Sequence, residues 1–253
     1  MVINYSQLTP AITPVRLDGR VILITGAGSG IGEQVALGAA RLGATLLLLG
    51  RNEDNLNRVS DQIRANQGPD PVIIPMDLAS LDEAQANELS HLIGQQFGRL
   101  DGLLHNASLL GKLGPIATTS LTDWARIMTV NAFAPVVLTK ALLPLLEESA
   151  AATVLFTSSG VGRKGRAFWG AYAASKFATE GIAETLADEM ELTSTVTVCC
   201  VNPGATRTAM RQAAFPGEAP ATVTPPTDLV PSYLHLLSGQ SSDIHGLSIN
   251  LQG

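Results

Sequence analysis

The sequence predicts one α/β domain: a doubly wound parallel sheet of about seven strands with helices on both faces. Three observations carry this. Short apolar runs alternate along the chain with amphipathic stretches of helical length, as in a parallel sheet covered on both sides. A glycine-rich turn joins the first clear strand to the first clear helix. At 253 residues, 45% of them hydrophobic, the chain can bury a sizeable core within one domain.

Residues 1–16, with Pro10 and Pro14, read as a surface arm packed on the body or on another subunit; residues 17–253 read as the domain. The first strand is expected over 20–25, where Val21-Ile-Leu-Ile24 is a buried apolar run. A helix over 30–42 ends at Gly43, a typical stop. Strands at 45–50, 71–76, 100–105, 152–157, 195–201 and 246–250 then alternate with helices at 53–66, 81–97, 119–147, 171–190 and 226–238. Between about Arg211 and Pro226 the rhythm breaks: Phe215-Pro-Gly and Thr224-Pro-Pro suit an irregular loop or short helix near the mouth of a site.

Several functions are argued against. A net charge of −6 without basic clusters does not suit a nucleic-acid binder. No apolar run approaches the roughly 20 residues that span a bilayer, and no signal peptide is evident. No C-x-x-C, H-E-x-x-H or histidine cluster offers a metal site. Gly28-Ser-Gly30 is only part of a hydrolase elbow. Cys199 and Cys200, the two cysteines, are strand neighbours facing opposite ways, so they read as buried apolar residues in a reducing cytoplasm rather than a disulfide.

Two motifs carry chemistry. Thr25-Gly-Ala-Gly-Ser-Gly-Ile-Gly32 lies between strand and helix. Glycines there let backbone approach a pyrophosphate, which the helix N-terminus then attracts. In Tyr172-Ala-Ala-Ser-Lys176 the tyrosine and lysine share a helix face. A phenol has an unperturbed pKa of about 10, and a neighbouring ammonium favours its ionised form. Such a group can exchange a proton with a carbonyl or alcohol.

In this order and separation the two motifs resemble the short-chain dehydrogenase/reductase family, in its compact single-domain branch, over about Leu17 to Gly253. The spacing T-G-x-x-x-G-I-G is that family's cofactor loop. G-R-A-F-W-G-A-Y-A-A-S-K-F-A-T-E-G and N-P-G-A-T-R-T-A-M-R look like a bacterial subgroup of oxidoreductases without an assigned substrate.

The resemblance implies a Rossmann-type fold and a nicotinamide cofactor held by Gly26, Gly28, Ser29, Gly30, Ile31 and Gly32. Gly50 stands where the family's NAD-users usually carry aspartate, and Arg51 follows where many NADP-users place a basic residue, so NADP is favoured, with NAD possible. The plainer reading of Arg51 is a solvated loop residue. Asp77, with Leu78, matches the adenine contact; Asp77 also suits a helix cap. Asn106 and Ala107 match the family's N-N-A-G stretch, whereas His105 and Ser108 depart from it, Ser108 placing a side chain where glycine is usual. Pro203, Gly204, Thr206 and Thr208 are implied to run beside the nicotinamide, although both threonines also suit local backbone bonding.

The implied catalytic set is Asn131, Ser159, Tyr172 and Lys176. Tyr172 is the acid in reduction, Lys176 tunes it and holds the ribose, Ser159 polarises the substrate oxygen and Asn131 supports a proton path. Ser158 competes with Ser159. Arg163, Lys164 and Arg166 read as a solvated loop. Leu109, Leu110, Phe168, Trp169 and Phe215 are candidates for an apolar substrate pocket.

These residues predict an NADP-dependent oxidoreductase that interconverts a carbonyl and an alcohol on a small molecule, as a homodimer or homotetramer. A non-enzymatic cofactor sensor on the same fold and an epimerase or dehydratase are the rival readings.

Overall fold

The computed structural model describes residues 1–8, 15–240 and 242–252; Pro10 and Pro14 lie outside them. Eight strands form one sheet: β1 (Val2–Asn4), β2 (Val21–Thr25), β3 (Thr45–Gly50), β4 (Val72–Pro75), β5 (Gly102–His105), β6 (Thr153–Thr157), β7 (Thr197–Asn202) and β8 (Ser248–Asn250). Their order is β1-β8-β7-β6-β5-β2-β3-β4, and all pairs are parallel. The helices are α1 (Gly30–Arg41), α2 (Glu53–Ala65), α3 (Glu83–Phe97), α4 (Leu121–Met128), α5 (Ala134–Glu147), α6 (Gly170–Met190), α7 (Ala209–Ala214) and α8 (Pro226–Leu236).

The sheet agrees with the expected count of about seven strands, with one more at its edge. The added strand comes from the segment read as a surface arm: Val2–Asn4 pairs with β8, and Asn250 Nδ2 donates to Asn4 Oδ1 at 3.1 Å. Three residues, mostly exposed, carry no apolar period from which to read a strand.

Side-chain alternation divides the core into two layers. Ile22 and Ile24 of β2 pack with Val35, Leu56 and Tyr233 from α1, α2 and α8. Val21 and Leu23 face the other way, towards Leu89, Leu142 and Ala183 from α3, α5 and α6. Cys199 and Cys200 are free and fall in opposite layers for the same reason.

The helix expected over 119–147 is a composite. Between α4 and α5 the residues Thr129–Phe133 form a π-helical turn. The resulting rod, Leu121–Glu147, has 27 residues and is long and apolar enough to cross a membrane by length and composition. The sequence reading expected the helix but found no apolar run near that length, because Asp123, Arg126 and Lys140 interrupt it; the helix as a whole corrects this. Half of its most apolar window is buried inside the molecule.

The order in which successive strands are added to the sheet reverses between β2 and β5, which are parallel neighbours. The carboxyl ends of such a pair open a crevice where ligands bind. The glycine turn after β2 and the loop after β5 form its walls.

Candidate active site

The glycine turn is pressed against the loop after β5. Gly26 has φ +68°, and a Cβ there would lie 3.0 Å from Ala107 Cα. A Cβ on Gly32 would come within 2.4 Å of Gly26 O. Thr25 Oγ1 fixes the opposing loop by accepting from Asn106 N and Ala107 N, both at 3.0 Å. Ser29 precedes α1 without a side-chain cap bond, so the first-turn amides are left for an anion. Glu33 in that turn is held by Arg58, at 2.7 and 2.9 Å, and Arg58 Nη2 also donates to Gly28 O at 3.1 Å. The arginine thus offsets a carboxylate beside the anion position.

A cleft of about 530 Å³ runs from this turn past Leu49–Asn52, Met76–Leu78 and Asn106–Leu110 to Pro203, Gly204 and Thr206. Its polar, amide-lined start and long course fit a dinucleotide. Of the residues singled out for the cofactor, Gly26, Gly28, Ser29, Gly30, Ile31, Arg51, Asp77, Leu78, Asn106, Ala107, Thr206, Thr208, Tyr172 and Lys176 line it, with Pro203 and Gly204. Gly32 instead packs beneath Gly26. Arg51 is exposed and makes no ion pair among the described residues. Asp77 does not cap α3; Asp82 does, accepting from Gln85 N at 2.8 Å. Asp77 accepts from Ala79 N in a tight turn.

The far side of the cleft is tied down by the end of the chain. Gln252 Nε2 donates to Pro203 O at 2.7 Å and Ala205 O at 3.0 Å. Gly204, at φ +73°, has no room for a Cβ beside Gln252 Cδ, 2.9 Å away. Thr208 caps α7 by accepting from Arg211 N at 3.2 Å, and its methyl group faces Gly30. Thr206 Oγ1 bonds locally to Pro203 O at 3.4 Å.

At the inner end, Tyr172 and Lys176 project from the first turns of α6 and are buried. The Tyr172 hydroxyl faces the hydroxyls of Ser159 and Ser108. Burial pushes the phenol up to about 12, and the two serines oppose that rise. The expected lowering by Lys176 is absent here. Its Nζ donates to Thr157 O at 2.8 Å and lies 5.7 Å from the centre of the tyrosine ring. Burial lowers Lys176 itself to about 8, partly offset by Cys200 and Glu180. The sequence pattern puts the two groups on one face but carries no measure of how deeply they sit.

Asn131 lies in the π-helical turn, off the cleft, with its amide fully engaged. Its Oδ1 accepts from Leu109 N at 2.7 Å; its Nδ2 donates to Leu109 O and Ser175 Oγ, each at 2.9 Å. It therefore clamps the loop after β5 to α6. His105 is buried, bonded through Nε2 to Thr139 Oγ1 at 2.8 Å and held near pKa 3 by burial and by Lys176, so it stays neutral. Ser158 is buried, its N–H donating to Val201 O and its Oγ without a partner.

Leu109, Leu110 and Trp169 line the mouth, whereas Phe168 is exposed. Trp169 stacks edgewise on Tyr172 with centroids 5.8 Å apart and contacts Phe215 at 5.7 Å. Arg166 sits over both aromatic rings, so it is not simply solvated. Arg163 pairs with Glu180 at 3.1 Å and bonds Asn250 and Ser248, which also corrects the solvated-loop reading. Arg58 and the contact of Ser108 with Tyr172 went unread in the sequence; only the departure from glycine at Ser108 pointed to the latter.

Residues 20–219 match the short chain dehydrogenase family. The chain belongs to the short-chain dehydrogenase/reductase family. This family member is 47% identical over 236 residues to the uncharacterized oxidoreductase YciK of Escherichia coli K12, covering 93% of each chain. It superposes with a TM-score of 0.91 on a short-chain dehydrogenase from Shigella flexneri 2a crystallised with NADP, at 45% identity over 94% of this chain and 99% of that one. A short-chain dehydrogenase from Escherichia coli CFT073 crystallised with NADPH gives 0.91 at 46% identity, again over 94% and 99%. As a short-chain dehydrogenase/reductase, the protein is an oxidoreductase of CH–OH or C=O groups that uses NAD(P).

Proposed function

We propose that the protein interconverts a small carbonyl compound and its alcohol with NADP(H), through Asn131, Ser159, Tyr172 and Lys176. The observation that carries this is the meeting of the Tyr172 and Ser159 hydroxyls in a buried pocket at the end of a dinucleotide cleft, with Lys176 one helical turn on. NADP over NAD is supported by Gly50, which brings no carboxylate to the adenosine ribose, by the unpaired Arg51 beside it, and by the NADP and NADPH bound in the two similar proteins.

Bound NADPH supplies a hydride to the substrate carbon. Tyr172 donates its hydroxyl proton to the substrate oxygen, and its high resting pKa keeps that proton in place until the oxygen becomes basic. Ser159 donates a hydrogen bond to the same oxygen. Lys176 holds the ribose and, with a pKa near 8, can return a proton to the tyrosine from solvent. Asn131 fixes the loop on which the cofactor side of the pocket depends. Oxidation runs the same steps in reverse.

The test is a panel of aldehydes, ketones and alcohols with both cofactors, followed by Tyr172→Phe on the best substrate. Turnover should fall about a hundredfold or more, with NADPH affinity by calorimetry nearly unchanged. Ser159→Ala should slow turnover and Ser158→Ala much less. Wild-type turnover in Tyr172→Phe would overturn the mechanism.

A further inference from the structure

Ser108 occupies a position of consequence that the set above does not use. Its Oγ is closed to solvent and makes no hydrogen bond of ordinary length and angle. A buried hydroxyl without a partner costs stability and calls for an explanation. The residue borders the cleft, and its hydroxyl faces the Tyr172 hydroxyl from the side of the β5 loop, whereas Ser159 approaches from the β6 loop.

The loop is rigid on both sides of Ser108. Ala107 N donates to Thr25 Oγ1 at 3.0 Å. Leu109 is gripped at both its N–H and its C=O by the Asn131 amide, at 2.7 and 2.9 Å. A side chain between two such anchors is held in place before any ligand arrives, and fixed donors aimed at developing charge cost no reorganisation during reaction.

We propose that Ser108 is a positioning residue for proton transfer: its hydroxyl donates to the oxygen of Tyr172 when that residue has given up its proton. This rests on the role of Tyr172 proposed above. Ser108 then holds the phenolate oxygen from one wall of the crevice, while Ser159, on the other wall, donates to the substrate oxygen. The proton moves from Tyr172 to the substrate oxygen; Ser108 keeps its own.

Ring-carbon NMR of isotope-labelled tyrosine in the NADP-saturated protein tests this without a known substrate. The chain has three tyrosines, and Tyr172→Phe assigns the signal of interest. Ser108→Ala should raise the Tyr172 titration midpoint by about one pH unit, and Ser108→Thr should return it towards the wild-type value. The alkaline limb of NADPH turnover with para-nitrobenzaldehyde should move with it. A midpoint unchanged in Ser108→Ala overturns the inference, including where melting temperature falls, since that outcome marks a structural role alone. Full turnover in Tyr172→Phe would instead overturn the underlying mechanism, so the two failures are distinct.

Discussion

Lys176 shows how a buried lysine opposes stability. Burial lowers its pKa from 10.5 to about 8, so the folded protein holds its ammonium less readily than the unfolded chain does. Each pKa unit corresponds to about 1.4 kcal/mol. Below pH 8 the lysine is charged in both states and the full cost, of the order of a few kcal/mol, is present. As pH rises from about 8 to 10.5 the unfolded chain binds the extra proton and the cost disappears. Lys176→Met keeps the length without the charge. It should raise the melting temperature of the cofactor-free protein by about 5 °C at pH 7, and the gain should shrink towards pH 10.5. An equal or lower melting temperature at pH 7 would contradict this account. Arg51 is the opposite case, an exposed cation costing the fold little. Arg51→Ala should weaken NADPH binding by about tenfold, the scale of one charge-assisted pair, and leave NADH binding nearly unchanged; calorimetry with both cofactors that shows equal losses would refute its selectivity.

Elements were legible where pattern and length agreed. The expected strands and helices of the main sheet lie within a few residues of those observed, because buried parallel strands are apolar runs and helix stops such as Gly43 mark their own ends. Tyr172 and Lys176 were readable because four residues on a helix is one turn. What failed to show was set by contacts between distant segments. Arg58 reaches Gly28 from α2, thirty positions away, and Ser108 meets Tyr172 across the crevice. The π-helical turn at Thr129–Phe133 was implied only by the family resemblance at Asn131, whose amide meets Leu109 and Ser175; no local period encodes it. Phe168 is a further instance: it has φ +73°, rare for a bulky residue, and its C=O accepts from Gly114 N at 2.9 Å. That turn brings Trp169 into edgewise contact with the ring of Tyr172.

At the scale of the whole molecule, one surface is more apolar than the sheet requires. Phe133, Val136 and Phe177 are 62%, 41% and 46% exposed on the composite rod and α6, while Leu138, Leu142 and Leu146 of α5 already fill the core. We infer that these faces join copies of the chain into a dimer or tetramer. Sedimentation at micromolar concentration should show an oligomer, and Val136→Glu with Phe177→Glu should release monomers; a monomeric wild type would refute this. Gln252 bears on a different question, how segments distant in sequence are joined into one wall of the cleft. The loop at Pro203–Thr206 is fastened by a side chain 49 and 47 positions further along, through Pro203 O and Ala205 O. That wall of the cleft is therefore held in part by a long-range contact, which closes a loop at an entropic cost that grows only slowly with its length.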